Sequence, residues 1–128
     1  MLRYIALLSC LAGPALADGF GFRTPSANIF CNGSLQGGAQ LYCTIINHNG
    51  SGGCASGRQF DMRMGERGRV QATCGRPSGK ASRYTDIAEY GATGNFGRIT
   101  CTSQTTGFTC TNADGHGFFL SRAKQLVF

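Results

Sequence analysis

The cysteines constrain this chain more than any other feature of its sequence. Seven cysteines occur among 128 residues, and the first of them, Cys10, lies apart in an apolar N-terminal stretch. The other six are spread along the rest of the chain: Cys31, Cys43, Cys54, Cys74, Cys101 and Cys110. An even number of cysteines in an exported chain is typical of a disulfide framework. We therefore expect three disulfides that reinforce a small domain with a modest hydrophobic core.

The N-terminus has the three parts of a secretory signal peptide. A positive charge at Arg3 precedes a short apolar run, and Ala15-Leu16-Ala17 provides a small-residue cleavage site. The apolar run is far shorter than the ~20 residues that a transmembrane helix needs. We expect residues 1–17 to be removed and residues 18–128 to form one domain without a transmembrane segment, exported to the periplasm or secreted. Cleavage in front of a lipidated Cys10 is the alternative.

Short alternating runs of apolar and polar residues, separated by turn residues, recur along the chain. In residues 69–74, every second side chain points to the same side of a strand. Residues 28–31 and 41–46 also have the character of strands, while helical periodicity is nearly absent. The pattern predicts an all-β, mainly antiparallel fold. We expect a small single domain, built as a sandwich or a barrel-like sheet and held by three disulfides. Residues 117–128 should dock as a strand, with or without a final turn of helix.

Residues 98–112 predict a β-hairpin in which two cysteines face each other. Cys101 and Cys110 are equidistant from the centre of the turn at Thr105 and Thr106. Directly opposed residues in antiparallel strands have Cα atoms about 4.5–5.5 Å apart, which is within reach of a disulfide. We therefore expect Cys101 and Cys110 to be bonded to each other.

The other two disulfides are less constrained by the sequence. Cys31 and Cys43 lie in two predicted strands, residues 28–31 and 41–46, which are separated by turn-forming Asn-Gly and Gly-Gly pairs, so their pairing is the natural local closure. Cys54 and Cys74 then remain by elimination, although six cysteines allow fifteen connectivities. We expect the least ordered stretches to be residues 47–57 and 77–80.

The chain is basic, with a net charge of +6 that falls to +5 when Arg3 is removed. Such a balance favours an anionic polymer or an envelope component as partner, although a solvated surface explains it equally well. Few aromatic residues accompany the basic ones, which weakens the case for nucleic acid. The candidate anion-binding residues are Arg58, Arg63, Arg67, Arg69, Arg76, Lys80 and Arg83.

Catalytic chemistry has few candidate residues in this sequence. Paired cysteines supply no thiolate nucleophile, and no Cys or His spacing matches a zinc site, so we expect no cofactor. His48 and His116 are the weak candidates for acid–base catalysis. We expect a non-enzymatic exported module that binds an envelope or extracellular partner. The alternatives are a small nuclease-like hydrolase that uses His116 with arginines, and an inhibitor of a cell-wall or host enzyme.

Two segments resemble a known family. Residues 22–31 read FRTPSANIFC and resemble its opening, F-x-[ST]-P-S-x-N-I-x-C; residues 110–123 resemble its ending, C-T-N-x-x-G-H-G-F-x-L-S-R-A. Residues 90–93 and 101–103 are similar to its middle, although Glu89 departs from its pattern. The family consists of small exported bacterial domains of unknown function that contain cysteines. The resemblance implies export and a cysteine framework, and it brings no catalytic residues.

Overall fold

Two antiparallel sheets of five strands make up the computed structural model, which describes residues 19–76 and 84–128. We name them the N-terminal and C-terminal sheets. The N-terminal sheet contains β1 (Gly19–Arg23), β2 (Ile29–Ser34), β3 (Gln40–Ile45), β4 (Phe60–Gly65) and β5 (Gln71–Cys74). The C-terminal sheet contains β6 (Thr93–Phe96), β7 (Ile99–Gln104), β8 (Gly107–Thr111), β9 (Gly117–Leu120) and β10 (Gln125–Val127). The predicted all-β fold is confirmed.

Each sheet is a meander, in which strands that follow each other in the chain also pair in space. The predicted hairpin is formed by β7 and β8, joined by the two-residue turn Thr105-Thr106. In this register Cys101 lies directly opposite Cys110, as the symmetry of the sequence about the turn requires.

The two sheets pack face to face on one hydrophobic core. Because side chains alternate along a strand, each sheet sends every second residue inward. The largest fully buried apolar side chains come from both sheets: Leu41, Ile45, Met62 and Met64 from the first, and Ile99, Phe108, Phe118 and Leu120 from the second. Phe22 joins the layers, with its ring centroid 5.7 Å from that of Phe96 and 5.9 Å from that of Phe108. The fold is therefore a β-sandwich.

All three predicted disulfides are present. Cys31–Cys43 joins β2 to β3 with an S–S distance of 2.08 Å, and Cys101–Cys110 joins β7 to β8 at 2.11 Å. Cys54–Cys74, predicted only by elimination, joins the loop before β4 to the end of β5 at 2.01 Å. The two cross-strand bonds lie on the buried faces of the two sheets.

Three segments differ from the sequence-based expectation or extend it. Of residues 69–74, only Gln71–Cys74 form a strand, β5, which lies at an edge of the sheet and has all four residues exposed. The C-terminal segment forms β9 and β10 with no helical turn. Residues 47–57 form no strand, but Asn49 donates a backbone hydrogen bond to the Arg122 carbonyl at 2.9 Å and so ties this loop to the opposite sheet. The predicted signal peptide and the stretch 77–80 lie outside the described residues.

Candidate functional site

The outward positions of β2 to β5 carry polar and aromatic side chains, which form what we call the outer face. The register aligns them in two rows that cross the four strands. One row contains Asn32, Tyr42, Arg63 and Gln71, and the other contains Phe30, Thr44, Asp61 and Thr73. Together with Gln59, these side chains line a shallow cleft of about 490 Å³. Its volume lies in the range of small-molecule binding sites.

Tyr42 and Arg63 form the centre of the cleft. They are directly opposed on β3 and β4, and the guanidinium carbon of Arg63 lies 5.5 Å from the centroid of the Tyr42 ring. This distance falls within the range of a cation–π interaction, which orients the guanidinium over the ring. Tyr42 nevertheless remains 42% exposed. The pair therefore presents both an aromatic surface and N–H donors to solvent.

Asp61 is the carboxylate of the cleft, and its orientation is fixed by two neighbours. Its Oδ1 accepts a hydrogen bond from the Thr44 hydroxyl at 2.6 Å and another from the Gln59 amide at 2.9 Å. Its Oδ2 accepts no hydrogen bond from a described residue. One carboxylate oxygen is thus held in place, while the other lies close to Gly75, where a Cβ atom would collide with it.

An aromatic pair closes one end of the outer face. The rings of Phe30 and Tyr84 stack with centroids 5.9 Å apart and planes 26° apart. Tyr84 also packs against Gly21 of β1, where a Cβ atom would collide with its ring, and its carbonyl accepts a hydrogen bond from Arg23 Nε at 2.9 Å. Glycine at position 21 is therefore required for this ring to lie against the sheet.

His48 has a structural environment. It is buried, its Nε2 lies 2.6 Å from the Arg58 carbonyl oxygen, and its Nδ1 accepts a hydrogen bond from the Gly50 N–H at 3.1 Å. These partners assign the proton to Nε2, because a nitrogen that accepts from an N–H must present a lone pair. The ring also packs against Phe60 with centroids 6.2 Å apart.

His116 lies far from His48 and is half-buried at the start of β9. Its backbone N–H donates to Asn112 Oδ1, and the Asn112 amide in turn donates to the carbonyl of Gly65, at the end of β4. His48 lies at the other end of that strand, so about 17 Å of extended chain, at ~3.3 Å per residue, separates the two regions. The structure therefore does not bring the two candidate catalytic histidines together.

Asp114, next to His116, has a pKa below its usual value. The hydrogen bond from the Gly68 N–H to its Oδ2, at 2.7 Å, is the main cause. The Arg67 guanidinium adds to it through an ion pair of 2.9 Å with Oδ1, and His116 adds a smaller electrostatic contribution. The charged form of Asp114 is therefore stabilised in this turn.

The candidate anion-binding arginines follow the β4–β5 hairpin rather than forming one cluster. Five of them are described, and all are exposed: Arg58, Arg63, Arg67, Arg69 and Arg76. Arg58 donates to the Gly75 carbonyl at one end of the hairpin, whereas Arg67 pairs with Asp114 at the other. Lys80 and Arg83 lie outside the described residues. Within residues 19–76 and 84–128, no group of three or more His, Cys, Asp or Glu side chains is placed to hold a metal ion.

The two segments that carry the family resemblance contain residues that hold turns in place. In the first, the Asn28 amide donates to the Asn47 carbonyl at 2.9 Å while its Oδ1 accepts from the Asn47 N–H at 2.7 Å. In the second, a Cβ atom at Gly117 would collide with the Cys110 carbonyl, so only glycine allows β8 and β9 to approach this closely. These residues have a structural role.

Sequence reasoning missed the outer face, whose cleft is lined largely by polar side chains. In the sequence, Asp61 is one of two carboxylates between Arg58 and Arg83, and no local pattern distinguishes it as a site residue. The two-residue spacing of Tyr42 and Thr44, and of Gln71 and Thr73, shows that the two residues of each pair lie on the same side of one strand. It does not show which strands are neighbours.

A family model covers residues 3–128 of the chain, and its description is a family of unknown function, DUF6636. No curated protein and no solved structure matches the chain. In the part of the chain that the structure describes, no helix has the length and apolar character needed to cross a membrane.

Proposed function

The chain belongs to the DUF6636 family, whose function is unknown, and on that premise we propose that it is an exported, non-enzymatic binding module. Its partner is an envelope or extracellular component that occupies the outer face of the N-terminal sheet. The observation that carries the proposal is a cleft lined by oriented polar groups that take little part in holding the fold together.

The polar side chains of the outer face are used differently from those elsewhere in the molecule. Buried amides such as those of Asn112 and Gln125 have both ends engaged in hydrogen bonds with other segments. On the outer face, Asn32, Gln71 and Thr73 make no side-chain hydrogen bond with a described residue. These polar groups are held at the fixed spacing of a sheet and make no hydrogen bonds with other described segments. Such groups are suited to orienting a ligand.

The hydrolase alternative has weaker support from the geometry. Two groups that share acid–base work must both lie within hydrogen-bond reach of the reacting atoms. His48 has both ring nitrogens engaged with backbone groups, and His116 lies at the opposite end of β4. A hydrolase would have to rely on His116 alone among the histidines. The inhibitor alternative rests on the class of small rigid exported domains and has no specific observation in its favour.

The proposal is tested by titrating the isotope-labelled mature chain, residues 18–128, with a panel of solubilised envelope polymers while recording amide NMR spectra. The panel contains neutral polysaccharides, phosphate-bearing polymers and peptides. We expect saturable shifts on β2 to β5 with at least one polymer and no degradation of any of them. Shifts centred on His116 would contradict binding at the outer face, and turnover that is lost in His116→Ala would show that the molecule is an enzyme.

A further inference from the structure

We infer that the ligand of the outer face is a neutral oligosaccharide built of hexopyranose units. The inference rests on the proposed function and names the chemical class of the ligand. It follows from the charge of the cleft, its hydrogen-bonding groups, its aromatic surface and its position in the sheet.

The described lining of the cleft is electrically balanced although the whole chain is basic. Among the described residues that line it, Asp61 and Arg63 are the charged ones, and their charges cancel. The other described arginines of the β4–β5 hairpin, Arg58, Arg67, Arg69 and Arg76, are not part of the lining. A phosphate-bearing or carboxylate polymer would gain little attraction in the cleft and would meet the Asp61 carboxylate. The lining therefore complements an uncharged ligand.

The hydrogen-bonding groups of the cleft match a ligand that is dense in hydroxyls. A hydroxyl both donates and accepts, and so it pairs with groups of either kind. Asp61 Oδ2 is an acceptor, the Arg63 guanidinium is a donor, and the amides of Asn32 and Gln71 supply both. Asp61 and Arg63 are two residues apart on one side of β4, about 6.6 Å along the strand, so one sugar unit can contact both.

Aromatic rings supply the apolar part of the recognition. A pyranose ring has a face rich in C–H groups, which packs on an aromatic ring through dispersion forces. Tyr42 is exposed at the centre of the cleft even with Arg63 over its ring, and Phe30 lines the same cleft. Tyrosine buries area at low conformational cost because it has only two rotatable side-chain torsions. These rings add contact area that polar groups alone do not provide.

The position of the cleft favours an oligosaccharide over a peptide. An extended peptide that binds to a sheet adds to an edge strand, where backbone donors and acceptors are unpaired. The cleft instead covers the middle of the sheet, where β3 and β4 are paired on both sides. Its lining spans four strands, about 14 Å at ~4.8 Å per strand, which is room for several linked sugar units.

The inference is tested with linear tetrasaccharides of defined charge. The neutral probes are the tetramers of β-1,4-glucose, β-1,4-mannose and β-1,4-N-acetylglucosamine, and the acidic probe is tetragalacturonate. Affinity is measured by NMR titration of the mature chain at two salt concentrations. We expect at least one neutral probe to shift the amides of β2 to β5 in a saturable way. Its affinity should change less than about twofold between low and high salt, because no counterions are released.

Variants identify the contacts. Tyr42→Ala and Asp61→Asn should each weaken binding about tenfold, which corresponds to about 1.4 kcal/mol, whereas Tyr42→Phe should retain most of the affinity because the ring remains. The matched control is Tyr90→Ala, since Tyr90 is 47% exposed and lines a different cleft. Denaturant unfolding of each variant checks its fold. Tyr42→Thr replaces Tyr42→Ala if the latter is unfolded, because threonine favours strands.

The possible outcomes separate this inference from the proposed function. If only tetragalacturonate shifts the outer face, and does so in a salt-dependent way, the inference is overturned while the binding role of the face stands. If a neutral probe shifts only residues near Tyr90, both are wrong. If no tetrasaccharide binds, the inference is also overturned, and the polymer panel decides the binding role on its own.

Discussion

At the scale of single residues, buried side-chain amides hold the turns of this fold. Asn112 is buried, and its side chain makes four hydrogen bonds: its amide N–H groups donate to the carbonyls of Gly65 and Gly68 at the end of β4 and in the following turn, while its Oδ1 accepts from the N–H groups of Asp114 and His116 within the turn between β8 and β9. Gln125 does the same between β10 and the loop before β4. Both amides are fully paired, as buried polar groups must be to avoid a desolvation penalty.

We predict that Asn112→Ala lowers the free energy of unfolding by about 2–4 kcal/mol, because it leaves several backbone groups without partners. The control is Asn49→Ala, which removes an amide that is exposed, although it also bonds to backbone. Its effect should be less than about 1 kcal/mol, since water replaces the lost partner. Denaturant unfolding of both variants measures the difference. Equal effects would mean that burial of the Asn112 amide is unimportant.

The lowered pKa of Asp114 predicts a dependence of stability on acid. Its carboxylate stabilises the folded state above its usual pKa of 3.8, and this contribution is lost as the pH falls through the lower folded value. Unfolding of the wild type should therefore become easier below about pH 4, and Asp114→Asn should reduce that dependence. Unfolding curves between neutral and strongly acidic pH test this. A difference between wild type and variant that does not change with pH would contradict it.

At the scale of elements, sequence predicted best where a feature was local. The hairpin of β7 and β8 follows from the symmetry of Cys101 and Cys110 about one turn, and it was found with the correct register. By contrast, the exposure of β5 depends on its place at a sheet edge, which no local pattern reports. The outer face was missed for the same physical reason, because its two rows exist only once four strands are aligned.

The three disulfides differ in how exposed their cysteines are to a reductant in solution. We predict that Cys54–Cys74 is reduced first under mild conditions. Cys74 is exposed on the edge strand β5, whereas both cysteines of each cross-strand disulfide are buried. Thiol–disulfide exchange requires a thiolate to reach a sulfur atom, so exposure favours attack. Brief treatment with reductant, alkylation and peptide mapping identify the first cysteines to be labelled. Early labelling of Cys31 or Cys101 would refute the prediction.

At the scale of the whole molecule, the described arginines of the β4–β5 hairpin lie along its length, and one of them, Arg63, also lines the cleft of the outer face. Arg58 and Arg76 lie towards one end of the β4–β5 hairpin, and Arg67 and Arg69 lie at its turn. This arrangement separates two kinds of attraction. In our proposal, long-range attraction to anionic surfaces comes from the hairpin, whereas short-range recognition comes from the outer face.

We predict weak binding to polyanions that is lost as salt rises, because exposed arginines act through the release of counterions. Substituting Arg63, Arg67 and Arg69 together should reduce the slope of affinity against salt without unfolding the domain. The control replaces three exposed cations outside the hairpin, Arg98, Arg122 and Lys124. Binding to heparin at several salt concentrations measures the slope. Tight binding that does not depend on salt would contradict the prediction.

We also predict that the exported protein starts at Asp18 and contains no free thiol. Removal of residues 1–17 takes away Cys10, and the other six cysteines are paired in the structure. Intact-mass measurement before and after treatment with a thiol reagent tests both statements. Added mass without prior reduction would show an unpaired cysteine, and a chain that starts at Cys10 would show a lipoprotein.

In each disulfide, the partner of a cysteine is the next cysteine in the mature chain. A chain that emerges N-terminus first into an oxidising compartment therefore meets its native partners in order of emergence. An oxidase that joins cysteines as they appear produces the native connectivity directly, with no wrong bond for an isomerase to correct. Under the proposed export, this pairing lets both disulfides of the first sheet form before the second sheet has crossed the membrane.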